Sequence, residues 1–252
     1  MNKKTFLIII VLLETSWLFA QIKPNEKLVY AASYNMSGLM THIAQVKMET
    51  TLMKTSKKTF LHLSCEAATF SKWDSFFKIR DLYESYVDIK TLRPSLYKRS
   101  INEGGYIKTE KYLFKPDGKT LMSTSKKMKK PESKKTISIG RNTQDVVSLI
   151  YQLRTIDFTT YKIGQTQSFT LVFDEKEIPV SIKFMGKESV AAGNLGSKLC
   201  YKISIAAKTD ALKGKDKNLI WLTADAKKIP ALIKFSIPVG LGQLTLSNAS
   251  GI

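Results

Sequence analysis

The sequence predicts a mainly β fold: a curved antiparallel sheet, an open barrel or a two-sheet meander, with one short helix packed on it. Three observations carry this. Apolar and polar residues alternate with period two through most of the chain, as half-buried strands require. Short turn signals separate the alternating runs, and helical spacing of apolar residues stands out in a single segment.

In chain order, Leu28, Tyr30, Ala32 and Tyr34 share one face of a first strand, which turns at Ser37-Gly38. Ala44, Val46, Met48 and Thr50 then alternate with Gln45, Lys47 and Glu49. Phe60 to Ala68 forms a third strand, and Asp74-Ser75-Phe76-Phe77 a connection to another carrying Tyr83, Ser85, Val87 and Ile89. Asn102-Glu103-Gly104-Gly105 is a strong turn signal, because paired glycines take positive φ without steric cost. Tyr106 to Phe114 follows as a strand, and Pro116-Asp117-Gly118 turns the chain into Leu121–Thr124. Residues 126–135 carry a block of lysines with Pro131 and read as an exposed loop. The helix is expected over Asp145–Arg154. Val146, Leu149, Ile150 and Leu153 form its stripe, Asn142 or Thr143 its N-cap, and Asp145 lies in its first turn. Strands resume with Phe169, Leu171 and Phe173, then Ile178 to Phe184, Tyr201 to Ile205, Leu219 to Thr223, Ala231 to Ile237, and Leu244 with Leu246. Lys213–Lys217 reads as a polar turn. No repeat of 20–50 residues and no linker divides the chain, so one domain is expected over 21–252.

Residues 1–20 have the layout of a secretory signal peptide: Lys3 and Lys4, an apolar run from Phe6 to Leu13, and a small residue at Ala20. The run is too short for a lasting membrane span. Cleavage is expected after about Ala20, and Gln21 stands where a lipid-anchored protein would carry Cys. The expected location is therefore the periplasm or the outer-membrane periphery, with membrane contact peripheral at most. Of 252 residues and a net charge of +19, removing 20 residues and the +1 of Lys3, Lys4 and Glu14 leaves 232 residues at +18. That field favours anionic partners. The lysine block has no interleaved aromatics, so no nucleic-acid partner is expected.

No enzyme, metal or cofactor is expected. His42 and His62 are lone residues without clustered ligands, and no Gly-x-Ser-x-Gly elbow or phosphate loop occurs. The carboxylates Asp81 with Glu84, and Asp225 near Trp221, are the only candidates for a hydrolase of envelope polymers. Cys65 falls on an apolar strand face with Leu61 and Leu63. Cys200 falls on a polar face with Lys202 and Ser204, so two free thiols are expected.

Several stretches together resemble a known family. They are Leu28-Val29-Tyr30-Ala31-Ala32-Ser33-Tyr34 with Gly38-Leu39, Phe77 to Asp88, Asn102 to Tyr106, Asp145 to Tyr151, and Ile220 to Pro230. In this order they resemble the bacterial exported family known only as domain of unknown function 3108, in the form of its Bacteroidetes members. The resemblance implies a β-rich envelope protein and supplies no catalytic residues. The ending with Trp221, Asp225 and Pro230 is also similar in outline to lipoprotein-carrier proteins, whose curved sheet holds acyl chains.

Two functions follow as expectations. The first is a binding or carrier module for an amphiphilic anionic ligand, lined by Tyr30, Tyr34, Phe60, Tyr83, Tyr86 and Trp221. The second is a structural or assembly protein whose strand edges or lysine block bind another envelope component. The sequence leaves ligand identity and oligomeric state open.

Overall fold

The computed structural model describes residues 22–36, 38–207, 218–237 and 240–252. The expected leader peptide and the Lys213–Lys217 turn lie outside these residues. Fourteen strands form one antiparallel sheet: β1 Lys27–Met36, β2 Leu39–Lys54, β3 Thr59–Thr69, β4 Arg80–Asp88, β5 Pro94–Glu103, β6 Tyr106–Phe114, β7 Thr120–Lys127 and β8 Ser133–Ser138 precede the helix α1 Val146–Leu153. After it come β9 Thr166–Phe173, β10 Lys176–Ala191, β11 Ser197–Ala207, β12 Leu219–Thr223, β13 Pro230–Ile237 and β14 Gly240–Ser250. The spatial order runs from β8 back to β1, crosses to β14, and runs back to β9. Two up-and-down meanders are thus joined at the β1–β14 ladder, where Tyr30 faces Leu246.

The sheet curls without closing. The edge strand β9 is met by Gln144, whose N–H donates to Thr170 O at 2.8 Å and whose O accepts from Val172 N–H at 2.8 Å. The tight turn between β9 and β10, Asp174-Glu175, reaches across to β5–β8: Ser123 Oγ donates to Glu175 at 2.7 Å, and Lys108 contacts Asp174 at 2.8 Å. Bulges in the ladders at Val29/Tyr30, Tyr86/Val87 and Phe184/Gly186 supply local bending, because an extra residue on one strand sharpens its twist.

The helix fills the space the curl encloses. One apolar stripe was expected, but α1 is wrapped on several sides. Val147 and Tyr151 join the large core with Leu28, Tyr30, Leu61, Leu63 and Val87. Leu153 packs with Phe158, Ile182 and Leu222, and Leu149 with Leu171 and Val180. The N-cap is Asp145 rather than Asn142 or Thr143. Its Oδ1 accepts from Val147 N–H at 2.9 Å and Ser148 N–H at 2.8 Å, and Ser148 Oγ accepts from the Asp145 N–H in return. This reciprocal box satisfies donors that a buried helix end cannot pass to water.

Two other expectations change. Half of the lysine block is strand: β7 runs to Lys127 and β8 begins at Ser133, leaving 128–132 as the turn. Cys200 is fully buried in the large core with Trp221 and Ala192 rather than on an exposed polar face. Both thiols are free, and burial pushes Cys65 up to about 12 and Cys200 to about 11. The double-glycine turn holds as read, with Gly104 at φ 54 and Gly105 at φ 89.

Candidate functional site

In an up-and-down meander, alternate connections emerge at the same end of the sheet. The connections after β2, β4 and β6 do so, together with residues 139–143 that follow β8. Between them lies a groove of about 590 Å³. Phe60, Pro94, Leu113, Phe114 and Ile139 give it apolar walls, while Lys58, Arg93, Lys115 and Arg141 stand around it as cations. Its size falls within the range of small-ligand sites.

Local hydrogen bonding holds the rim in place. Asp88 Oδ1 accepts from Lys90 N–H and Thr91 N–H, each at 3.0 Å, and fixes the β4–β5 connection. Its other oxygen takes Lys58 Nζ at 2.9 Å, and this hydrogen bond holds the Asp88 carboxyl down at about 2. Asp117 Oδ1 likewise accepts from Lys119 and Thr120 N–H in the β6–β7 turn. Gly140 N–H donates to Glu177 at 2.7 Å, tying the 139–143 segment to β10. Arg93 Nη2 donates to Asn142 Oδ1 at 3.0 Å across the groove's end.

Beyond that bridge a second, polar recess of about 540 Å³ shares Thr91 and Arg93 with the groove. Gln144, Gln152, Gln167 and Thr170 line it. Gln144 is buried, and its Oε1 has no hydrogen-bond partner. An apolar trough leading to a polar recess, with cations at the junction, is chemically matched to an amphiphile with an anionic or hydroxyl-bearing head. A buried amide oxygen left without a donor is costly, and a ligand hydroxyl would satisfy it.

Of the six aromatics read from sequence, Phe60 lines this groove. Tyr30 and Tyr83 belong to the large core, Tyr30 fully buried with its hydroxyl unpartnered and held well above its ordinary range by desolvation. Tyr34 lies near the far end of β1, against Gly240. Tyr86 faces away from the helix, stacked on His62 at 4.5 Å with Lys98 above it. Trp221 is buried in the large core cluster, its N–H donating to Glu188 at 2.7 Å under Lys202 and Lys234. Five of the six therefore lie outside the groove. Arg93 and Arg141 on two separate connections and Phe114 at the end of β6 are far apart in sequence, and only the curl brings them together.

The hydrolase candidates do not converge. Asp81 and Glu84 point to opposite faces of β4: Asp81 accepts from Asn102 N–H, and Glu84 meets His62 at 2.9 Å. Asp225 caps the turn to Lys227 and Lys228 and holds Thr223 Oγ1. Asp81 instead neighbours Glu103, whose carboxyl is pushed up to about 7 by burial and by that second carboxylate. His42 bonds Ser33 Oγ at 2.8 Å and does not approach His62, since His62 pairs with Thr51 nine residues further along β2. Among the described residues, no group of three or more His, Cys, Asp or Glu side chains could hold a metal. No helix of the described chain is long and apolar enough to cross a membrane.

The fold is similar to a crystal structure of a beta-barrel-like protein of domain of unknown function DUF1849 from Brucella abortus. That likeness has a TM-score of 0.57 at 11% identity and covers 90% of this chain and 97% of that one. A looser one, TM-score 0.34 at 9% identity, covers 92% of this chain and 98% of a protein with YmcC-like fold from Bacteroides fragilis. No curated protein matches the sequence. Residues 29–247 match the family described as Protein of unknown function (DUF3108), and the chain belongs to that family.

Proposed function

We propose that this protein is a non-enzymatic binding module for an anionic amphiphile, exported to the cell envelope by a cleaved leader. The observation that carries the reading is the groove itself: Phe60, Leu113, Phe114 and Ile139 beside Lys58, Arg93, Lys115 and Arg141. Apolar walls take a hydrocarbon chain, and the guanidinium groups of Arg93 and Arg141 take its acidic head as charge-assisted hydrogen bonds. The polar recess around Gln144 accommodates the rest of the headgroup.

Isothermal titration with dodecyl phosphate tests this. Saturable one-site binding is expected. The double variant Arg93→Ala/Arg141→Ala should weaken it about tenfold to a hundredfold, the worth of one or two charge-assisted hydrogen bonds. Neutral dodecyl maltoside should be little affected by the same change. Absence of saturable binding, or equal affinity in the variant, would overturn the proposal.

A second reading rests on β8, the outermost strand of one meander. Its free edge can pair with a strand of another envelope protein. Lys134 and Lys135 on it, which guard against indiscriminate pairing, would select an acidic partner strand. Crosslinking from position 136 in envelope extracts to one discrete acidic protein would favour this role over the carrier role.

A further inference from the structure

The end of the sheet opposite the groove carries the connections after β1, β3 and β5. The connection between β3 and β4 there reads Phe70-Ser71-Lys72-Trp73-Asp74-Ser75-Phe76-Phe77-Lys78-Ile79. Phe76 is 77% exposed, Phe77 47% and Phe70 38%, and on the neighbouring start of β2 Leu39 is 71% exposed and Met40 37%. Single exposed apolar residues are ordinary, but a cluster on one projection calls for a partner.

The connection is firmly built. Phe70 N–H donates to Ile43 O at 3.0 Å, and Trp73 Nε1–H to His42 O at 3.1 Å, fastening it to β2. Trp73 N–H donates to Phe70 O and Phe77 N–H to Trp73 O, at 2.8 and 2.9 Å. Arg80 grips both Asp74 oxygens, at 3.1 and 2.6 Å, and Gly104 N–H donates to Lys78 O at 2.8 Å. The phenylalanines are therefore displayed on a fixed turn. Asp74, the segment's one acid, is already neutralised by Arg80. Lys72 and Lys78 remain exposed on either side of the aromatics, with Lys72 Nζ 5.9 Å from the Trp73 ring centre.

We infer that this turn docks the protein on an anionic lipid bilayer. Phe76, Phe77 and Phe70 enter the boundary between headgroups and acyl chains, Trp73 sits at headgroup depth, and Lys72 and Lys78 lie along the surface with their ammonium groups on lipid phosphates. Aromatic rings flanked by lysines are the composition that partitions into this layer. Each lysine near an anionic surface adds attraction that a zwitterionic one does not supply. Uncompensated positive charge favours this partner over an apolar patch on a protein or on a second copy. The inference is independent of the groove at the opposite end.

The molecule contains its own reporter. Residues 21–252, which contain every described element of the fold, hold two tryptophans, Trp73 and the buried Trp221. Vesicles of phosphatidylcholine with about a third phosphatidylglycerol, carrying brominated acyl chains, should bind this chain and quench Trp73 emission. Pure phosphatidylcholine vesicles should bind far less. Phe76→Ser/Phe77→Ser should lower the partition coefficient at least about tenfold, and Phe76→Ser alone should lower it with an unchanged thermal midpoint, since Phe76 is the more exposed ring while Phe77 also leans on Gly104. Trp73→Phe should abolish quenching while binding persists. Absence of binding, binding without quenching, or unaltered binding by the double variant would overturn the inference. Concentration-dependent self-association that the double variant abolishes would also overturn it, by assigning the patch to a second copy.

Discussion

Two buried ion clusters hold the curled sheet together, and they differ in one respect. At the first, Arg154 just beyond α1 forms a two-pronged pair with Glu26 at the start of β1, at 2.6 and 2.7 Å, and both side chains are sealed from solvent. At the second, Arg99 on β5 meets Glu110 on β6 at 2.5 Å and also Asp174 in the β9–β10 turn, while Lys108 joins both carboxylates. Asp174 is 55% exposed on its side chain. The first cluster has no route to water if a partner is lost, whereas the second keeps one. Similar residue types thus give a rigid seam in one place and a tolerant one in the other.

The largest expected effect comes from breaking the sealed pair. Arg154→Met leaves the Glu26 carboxyl without its partner in the interior, and should cost about 3–5 kcal/mol in urea denaturation. The double variant Glu26→Leu/Arg154→Met should recover most of that loss, because the cost lies in the orphaned carboxyl. Next is Asp145→Ala, which removes the helix cap and the acceptor for Ser85 Oγ at 2.6 Å. It should cost about 2 kcal/mol by the same measurement. At the open seam, Asp174→Gly loses a half-exposed ion contact but relieves a backbone at φ 47. These oppose each other, and a net change within about 1 kcal/mol is expected. A loss as large as that of Arg154→Met would erase the distinction between the seams.

The smallest effect is a pH slope beside the open seam. The Glu103 carboxyl titrates at about 7 in the folded protein, above its ordinary 4.5. Between those values the folded state holds a proton that the unfolded state has released, so stability falls as pH rises through this window and levels off above it. Glu103→Gln should remove that part of the fall. The thermal midpoint of the variant relative to the parent should therefore be higher at pH 7.5 than at pH 5. An offset that does not vary with pH would show that burial and the Asp81 carboxylate do not raise the Glu103 carboxyl.

The fold was legible where period-two alternation was clean, as in β2, whose buried Ala44, Val46, Met48 and Thr50 fall where the pattern puts them. It was least legible where an inward charge breaks the pattern. β5 buries Tyr97, Arg99 and Ile101 on one face, and Arg99 hides the period because its counter-ion lies on the next strand. The lysine block concealed β8 for a similar reason, since a strand at a sheet edge is free to be polar. The helix was legible as a periodicity, but its cap was not: Asp145 is held in place as the cap by the Ser85 hydroxyl, which donates to its carboxylate, and by Ser148 Oγ, which accepts from its N–H, and Ser85 lies sixty residues away. Aromatic content identified Phe60 for the groove and overlooked Arg93, Phe114 and Arg141. Two connections and the end of β6 converge only through the curvature of the whole sheet.

That curvature depends on a ladder with an unusual place in time. Every ladder between named strands except β1–β14 joins neighbours in sequence, whereas Tyr30 and Leu246 meet across 216 residues (246 − 30). The hairpins of each meander close over short loops, and the joint between the meanders must wait for a long one to close. We expect β1–β14 to form last, so that Leu246→Ala speeds unfolding and leaves the folding rate nearly unchanged in stopped-flow measurements. A chain threaded through a narrow pore from its N-terminus would then stay open at the middle of its sheet, groove included, until β14 had emerged.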